Sequence, residues 1–306
     1  MNLSVVIATY NPKREYLTRV LDALMVQSLP QERWELLIVD NNSNPSVKDW
    51  VDLRWHSRAV VLDESTLGLT HARVRGIKES AGRIVILVDD DNILASDYLE
   101  QTARIADDFP FIGTWSGRVE PDFERPDAQP PSELYGLLTL RPVTADLWSN
   151  DSSHHASTPW GAGLCIRREV ADAYVREVAG KPDRTSLDLQ GATMLYGGDT
   201  DIAYTGCRMG FGKGVFSKLS VTHLIPAERC TPSHLCRISH GRGYSEVLHG
   251  YVTFGVVTQP DWLSVSSVVR HIRTLFKPSL QRSVAFAYQR GRRQAYRDLA
   301  VSRAAR

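Results

Sequence analysis

Short apolar runs alternate with helical spacing through the first half of the chain. Leu3–Tyr10 is rich in β-branched residues and ends in Thr9-Tyr10-Asn11-Pro12. Asn11 can cap a helix there and Pro12 suits its first turn. Leu17, Val20, Leu21 and Leu24 follow at helical spacing. Trp34–Val39 is a second run, stopped by Asp40-Asn41-Asn42-Ser43-Asn44-Pro45, and Val60–Leu62 is a short third. Leu69–Ser80 has helical spacing with Gly82 just beyond it, and Ile84–Val88 is a fourth run that stops at Asp89-Asp90-Asp91. The β-α-β-α-β order predicts an α/β fold, a mostly parallel twisted sheet flanked by helices. In such sheets ligands gather beyond the carboxyl ends of the strands. Thr9, Asn11, Asp40 and Asp89 to Asp91 all sit at those ends.

Periodicity is weak over Glu120–Ser157, which is rich in Pro, Asp, Ser and aromatic residues. It predicts a long functional loop holding one short helix. Trp160–Arg167 is expected to be a strand followed by a helix through Ala179. Gly197–Gly210 predicts an acidic turn and a helix, and Val215–His223 one or two short strands. A soft boundary is expected near residue 245, separating a catalytic domain (1–245) from a helical basic tail (246–306). From Val265 onward Asp298 is the only acid.

Composition narrows the function classes. Of 306 residues, 42% are hydrophobic and 23% charged, as in ordinary globular proteins. A formal net charge of +1 gives no general attraction for nucleic acid. The four cysteines are too few for a disulfide-framed secreted chain of this size, so a reducing, cytoplasmic setting is expected. No run approaches the ~20 apolar residues of a membrane span, and Leu3–Ala8 is too short for a leader core.

Several residue groups carry candidate chemistry beside a plainer reading. Asp89-Asp90-Asp91 closes an apolar strand, where charge needs a reason. Its carboxylates suit Mg²⁺ or Mn²⁺, or they form a solvated turn. Asp40 could meet a nucleobase or ribose, or stabilise an Asx turn through Asn41–Asn44. Asp199, after Gly197-Gly198, could be a general base or an N-cap. His223 closes an apolar run as a metal ligand or as a packed histidine. Gly206–Gly214 is no phosphate loop, because Gly214 follows Lys213 where Ser or Thr is required. Cys230, His234, Cys236 and His240 do not make a zinc set, since on one helix His234 and Cys236 lie about 200° apart.

Six segments, taken in order, resemble the family-2 glycosyltransferases of GT-A fold. They are Ser4–Asn11, Glu35–Ser43, Gly68–Ile77, Ile84–Asp91, Gly161–Arg168, and Gly198–Ile202 leading to Val221–Pro226. The resemblance spans about residues 1–245 and implies a donor half at about 1–119 and an acceptor half at about 158–245. It implies donor binding by Thr9, Tyr10, Asn11, Asp40, Asn42, Arg73, Asp89 and Asp90, with Asp40 on the base and Asp89 near the ribose. It implies Asp91 and His223 as metal-side residues for Mn²⁺ or Mg²⁺, Asp199 as catalytic base, and Trp160, Gly161 and Asp201 on the acceptor side, Asp201 also being the reserve base. The sequence departs from the family pattern at Gly198, where a glutamate usually precedes the base, at Val74, where asparagine is usual, and at His71, which is bulkier than its counterpart.

The resemblance implies an inverting transfer of a sugar from a nucleotide-diphosphate donor to a hydroxyl of a saccharide or lipid-linked acceptor, in cell-surface polysaccharide or glycolipid synthesis. The alternatives are a nucleotidyltransferase and a non-catalytic nucleotide-binding scaffold. The tail interleaves Arg270, Arg273, Lys277, Arg282, Arg290, Arg292, Arg293 and Arg297 with Val269, Leu275, Phe276, Phe286 and Tyr288. That pattern suits either peripheral contact with an anionic membrane, on its inner face, or a helix packed on the core.

Overall fold

The computed structural model describes residues 2–181, 184, 196–255, 269 and 272–304. Its strands are β1 (Leu3–Thr9), β2 (Trp34–Asp40), β3 (Ala59–Asp63), β4 (Ile84–Asp89), β5 (Asn92–Leu94), β6 (Ile112–Phe123), β7 (Leu147–Ser149), β8 (Leu164–Arg167) and β9 (Gly212–Ile225). Its α-helices are α1 (Arg14–Met25), α2 (Leu69–Glu79), α3 (Tyr98–Asp108), α4 (Arg168–Gly180), α5 (Gly198–Arg208), α6 (Pro232–Phe254) and α7 (Ser279–Ala304). One sheet runs in the order β3-β2-β1-β4-β8-β6-β9-β5, with β7 also on β9. β1 pairs in parallel with β2 and β4, β2 with β3, and β6 with β9, whereas β8 runs antiparallel to both β4 and β6.

The continuous apolar strands have a simple cause. Successive side chains leave opposite faces of the sheet, and both faces are covered. Val5, Ile7, Leu36, Ile38, Ile84 and Ile86 join the core beneath α1 and α3. Val6, Leu37, Val39, Val85 and Leu87 join the opposite core, which includes α2, α4 and Ile202 of α5.

Several elements differ from the sequence expectation. Asn11 does not cap α1: Lys13 takes that position, and Asn11 adopts a positive φ of 49° in the loop before it. Only Leu164–Arg167 of the 160–167 segment is strand. β9 is one 14-residue strand rather than one or two short ones, because it pairs along β6 for most of its length. The 120–157 segment continues β6 to Phe123, then forms three 3₁₀ turns and β7. Lys213 is fully buried on β9, where its ammonium donates to the His154 carbonyl at 2.7 Å and Ser157 Oγ at 3.1 Å, fixing the end of that segment.

Residue 245 lies inside α6. Helices α6 and α7 approach so closely that a Cβ on Gly243 would stand 2.1 Å from the Tyr288 carbonyl oxygen, and one on Gly291 1.9 Å from that of His240. Ser239 Oγ adds a 2.8 Å bond to the Val284 carbonyl. Gly291→Ala should therefore push the pair apart and cost about 1–3 kcal/mol, as overpacking does. Urea unfolding, with limited proteolysis of α7, checks this.

Candidate active site

The carboxyl ends of β1 and β4 open on a cavity of about 690 Å³. Thr9, Tyr10, Arg73, Asp89, Asp90, Asp91, Trp160, Gly161, Asp199 and His223 all line it. The pairing Ala8↔Asp89 sets the following residues, Thr9 and Asp90, side by side, and Thr9 Oγ1 donates to Asp90 Oδ2. Arg73, buried on α2, lies 3.4 Å from Asp89 Oδ1. Burial, followed by the charge of Asp91, pushes the Asp90 carboxyl up to about 7. Burial raises Asp89 as well, against the pull of Arg73.

Asp91 and His223 are 132 positions apart in sequence and meet because β5 pairs antiparallel with β9, Asn92 opposite His223. His223 Nε2 stands 3.4 Å from Asp91 Oδ2. Arg229, from the turn after β9, reaches both: its Nη1 is 2.9 Å from Asp91 Oδ2 and 3.1 Å from His223 Nε2. Burial alone would raise Asp91, but His223, Arg229 and Asn92 face it and hold it well below the usual carboxylate range. His223 Nδ1 lies 2.9 Å from the Leu138 carbonyl, which only accepts, and Nε2 faces a guanidinium, which only donates. Nε2 also faces Asp91 Oδ2 at 3.4 Å and is turned toward the cavity lining.

Asp199 sits in the first turn of α5. Its Oδ2 accepts from the Gly161 amide at 2.9 Å and its Oδ1 from the Thr200 amide at 2.8 Å. A Cβ on Gly161 would lie 3.3 Å from Arg73 Nη2 and 3.7 Å from Asp199 Oδ2, so this glycine joins the carboxylate cluster to Asp199 without filling the space between them. Arg141 lies over the Trp160 ring at 5.0 Å.

Four predicted residues do not line the cavity. Asp40 is buried, and its oxygens accept from the Ser43 amide, Ser46 Oγ and the Val47 amide, each at 2.9 Å. The Asx-turn role is the one it fills here. Exposed Asn11 and Asn42 belong to the loops after β1 and β2. Asn11 accepts from the Asn44 amide at 2.8 Å, tying those loops together. Asp201 is fully buried 3.5 Å from Arg184, turned away from the cavity.

The structure adds residues that sequence reasoning missed. Asn41 lines the cavity and holds the 64–68 loop through the Glu64 and Thr66 carbonyls and the Gly68 amide. One stripe of α6 (His234, Ile238, Arg242, Ser245, His249) forms the far wall, with Arg242 5.7 Å from the centre of the Tyr196 ring. Its spacing was readable as one helix face. Arg229 had no local signal, because only the return of β9 to β5 brings it to Asp91.

The comparisons agree with this geometry. The model for "Glycosyl transferase family 2" matches residues 4–173, more than half of the chain, so the protein belongs to that family. Glycosyltransferase AglE of Haloferax volcanii is 28% identical over 102 residues, covering 32% of this chain and 33% of the relative. Poly(ribitol-phosphate) beta-N-acetylglucosaminyltransferase TarS of Staphylococcus aureus is 26% identical over 111 residues, covering 35% of this chain and 19% of TarS. These matches therefore span a third or less of each relative's length. The crystal structure of TarS 1–349 superposes with a TM-score of 0.51 at 15% identity, over 97% of this chain and 92% of that one. Mannosyltransferase PcManGT of Pyrobaculum calidifontis, in complex with GDP-Man and Mn²⁺, superposes with a TM-score of 0.56 at 18% identity, over 99% of this chain and 79% of that one. The chain thus joins membership of glycosyltransferase family 2 with the GT-A fold.

The hydrogen bonds to Asp40 carry a pH consequence. Burial would raise its carboxyl, but bonds from Ser43, Val47 and Ser46 outweigh burial and lower it. A depressed folded-state value gives stability that is present above the unfolded value of ~3.9 and lost as pH falls through the folded value. Asp40→Asn should destabilise by about 1.5–3 kcal/mol at neutral pH, and the gap to wild type should narrow below about pH 4. Denaturant titrations across pH check both statements.

Proposed function

We propose that this protein moves a sugar from a nucleotide-diphosphate donor to an acceptor hydroxyl in one displacement, with inversion at the anomeric carbon. The observation that carries this reading is that one cavity is lined both by the Asp91–His223 pair and by Asp199. Its lining includes Asp91 beside Nε2 of His223 and, apart from that pair, Asp199. A carboxylate oxygen and an imidazole nitrogen 3.4 Å apart suit Mn²⁺ or Mg²⁺. The Leu138 carbonyl on Nδ1 is the outer partner that such a ligand needs. Asp91 and His223 would hold the ion, which when bound neutralises charge on the departing diphosphate.

The remaining steps belong to the chain itself. Tyr10, Asn41 and Arg73 line the donor end. Asp40 and Asn11 brace the loops after β2 and β1 and would act on the donor by positioning them. Arg73 would stabilise the developing negative charge. Asp199 would accept the proton of the attacking hydroxyl at one of its oxygens. The amides of Gly161 and Thr200 hold that carboxylate in place. Besides Asp89 to Asp91, the carboxylates lining the cavity among the described residues are Asp199 and Glu246, and the single-displacement reading gives the base role to Asp199. Trp160 and the α6 stripe would form the acceptor wall.

Asp199→Asn should lower turnover on the order of 10²–10⁴-fold and leave nucleotide binding nearly intact. Donor consumption and a thermal-shift panel of nucleotide sugars with Mn²⁺ or chelator measure the two effects. Unimpaired turnover would remove Asp199 as base. Metal-dependent nucleotide binding without turnover in the wild-type protein would favour a scaffold role, the outcome that Gly198 makes worth testing.

Saccharide or lipid-linked acceptors in cell-surface synthesis would fit a protein that touches membrane. No helix among the described residues is long and apolar enough to cross one. α7 is packed on the body through Val284, Ala287, Ala295 and Leu299. The exposed apolar residues lie just before it: Ile272, Leu275 and, at 85% exposure, Phe276, interleaved with Arg273 and Lys277. Arg270 lies outside the described residues. These residues would rest in an anionic interface. Flotation with vesicles containing anionic lipid should recover wild type and lose Leu275→Glu/Phe276→Glu, and equal recovery of both removes this contact.

A further inference from the structure

The guanidinium of Arg229 stands where a bound ion would have to be. Its Nη1 donates to both Asp91 Oδ2 at 2.9 Å and His223 Nε2 at 3.1 Å, the same two atoms that face each other across 3.4 Å. The single lone pair of Nε2 cannot face a metal and that N–H at once, and Asp91 Oδ2 would have to share one oxygen between the two. Like charge adds to the geometry, because a cation and a guanidinium sharing one carboxylate oxygen repel strongly where water is scarce. Asp91, Asp90 and Asp89 keep Arg229 charged against the cost of burial. With Arg73, Arg229 supplies the positive charge facing the three carboxylates.

We propose that Arg229 is the resident cation of the Asp91–His223 seat, and that guanidinium and divalent ion occupy it in alternation. The inference rests on the reading of Asp91 and His223 as the metal seat. Metal affinity of the free protein is then set by the work of displacing Arg229 rather than by the two ligands alone. The side chain has somewhere to go. It is 39% exposed, lines the open cavity, and springs from a short turn in which the Arg229 amide bonds to the Pro226 carbonyl at 2.9 Å. Once displaced, its planar fork of donors is suited to the phosphate oxygens of a nucleoside diphosphate. A diphosphate would thus supply oxygens to the ion and a partner to the released guanidinium, coupling metal entry to donor binding.

A purely structural role for Arg229 makes a different prediction. If it only ties the turn after β9 to β5, removing it would lower stability and leave metal affinity unchanged. The test uses Mn²⁺ alone with the full chain, without nucleotide, reading free Mn²⁺ by its electron paramagnetic resonance signal. Arg229→Gln, and Arg229→Met as a second neutral variant of similar reach, should each bind Mn²⁺ about tenfold or more tightly than wild type, on the order of what removing a like charge within ~4 Å is worth. Adding Asp91→Asn to either variant should abolish that binding. Melting curves identify any variant that has lost its fold. Equal Mn²⁺ affinity in wild type and both variants, abolished in each by Asp91→Asn, overturns the role of Arg229 and leaves the seat standing. Absence of Mn²⁺ binding in folded wild type and in both folded variants overturns the seat and this inference with it.

Discussion

Three carboxylates at the end of one buried strand are the constraint around which the rest of the site is arranged. Charge at such a place is costly unless it is paired. The fold compensates from three directions: Thr9 from the neighbouring strand, Arg73 from α2, and Arg229 from the turn after β9. Each comes from a different part of the chain, so the cluster is stable only when the central sheet, the α2 layer and the last strand are all in place. The spread in proton affinity between Asp90 and its neighbour Asp91 is one result of that arrangement.

The sheet divides the labour between its two kinds of pairing. The parallel β3-β2-β1-β4 half sends its loops to one side and shapes the part of the cavity lined by Thr9, Asn41 and Asp89–Asp91. The antiparallel insertion of β8 turns the chain back, and the 160–163 turn before it delivers Trp160 and Gly161 to the same cavity. Gly161 then stands between Arg73 and Asp199, with its amide on the latter. A side chain there would intrude on the space between them. The far wall comes from α6, whose other contacts hold α7.

Much of the donor half was legible in the sequence because its signals are local. A β-branched run that stops at polar residues marks a strand end, and such stops placed Thr9, Asp40 and Asp89–Asp91 on one edge of the sheet. What could not be read was direction. Asp40 and Asp89 both end strands, yet one turns into its own loop and the other lines the cavity, a choice made by the amides of Ser43 and Val47. Asp201 lies two residues beyond Asp199, and the turn of α5 sends it into the interior toward Arg184. Arg229 was hidden for a third reason: its role depends on a pairing between segments more than a hundred residues apart. The α6 stripe, by contrast, was present in the spacing, but the cysteines and histidines of that helix point first to metal ligation and mask its role as a wall.

That long-range pairing bears on where the chain could be divided. The family match ends at residue 173, but β9 is an interior strand, flanked by β6 on one side and by β5 and β7 on the other. A fragment cut at the family boundary would expose the whole length of β6 as an unpaired edge of 12 residues, the kind of open ladder that recruits other chains into aggregates. It would also lack His223 and Arg229. Circular permutation or domain insertion therefore belongs in the exposed loops of the 120–157 segment rather than at the end of the matched family region, because the N-terminal half of the fold and the return of β9 share one sheet.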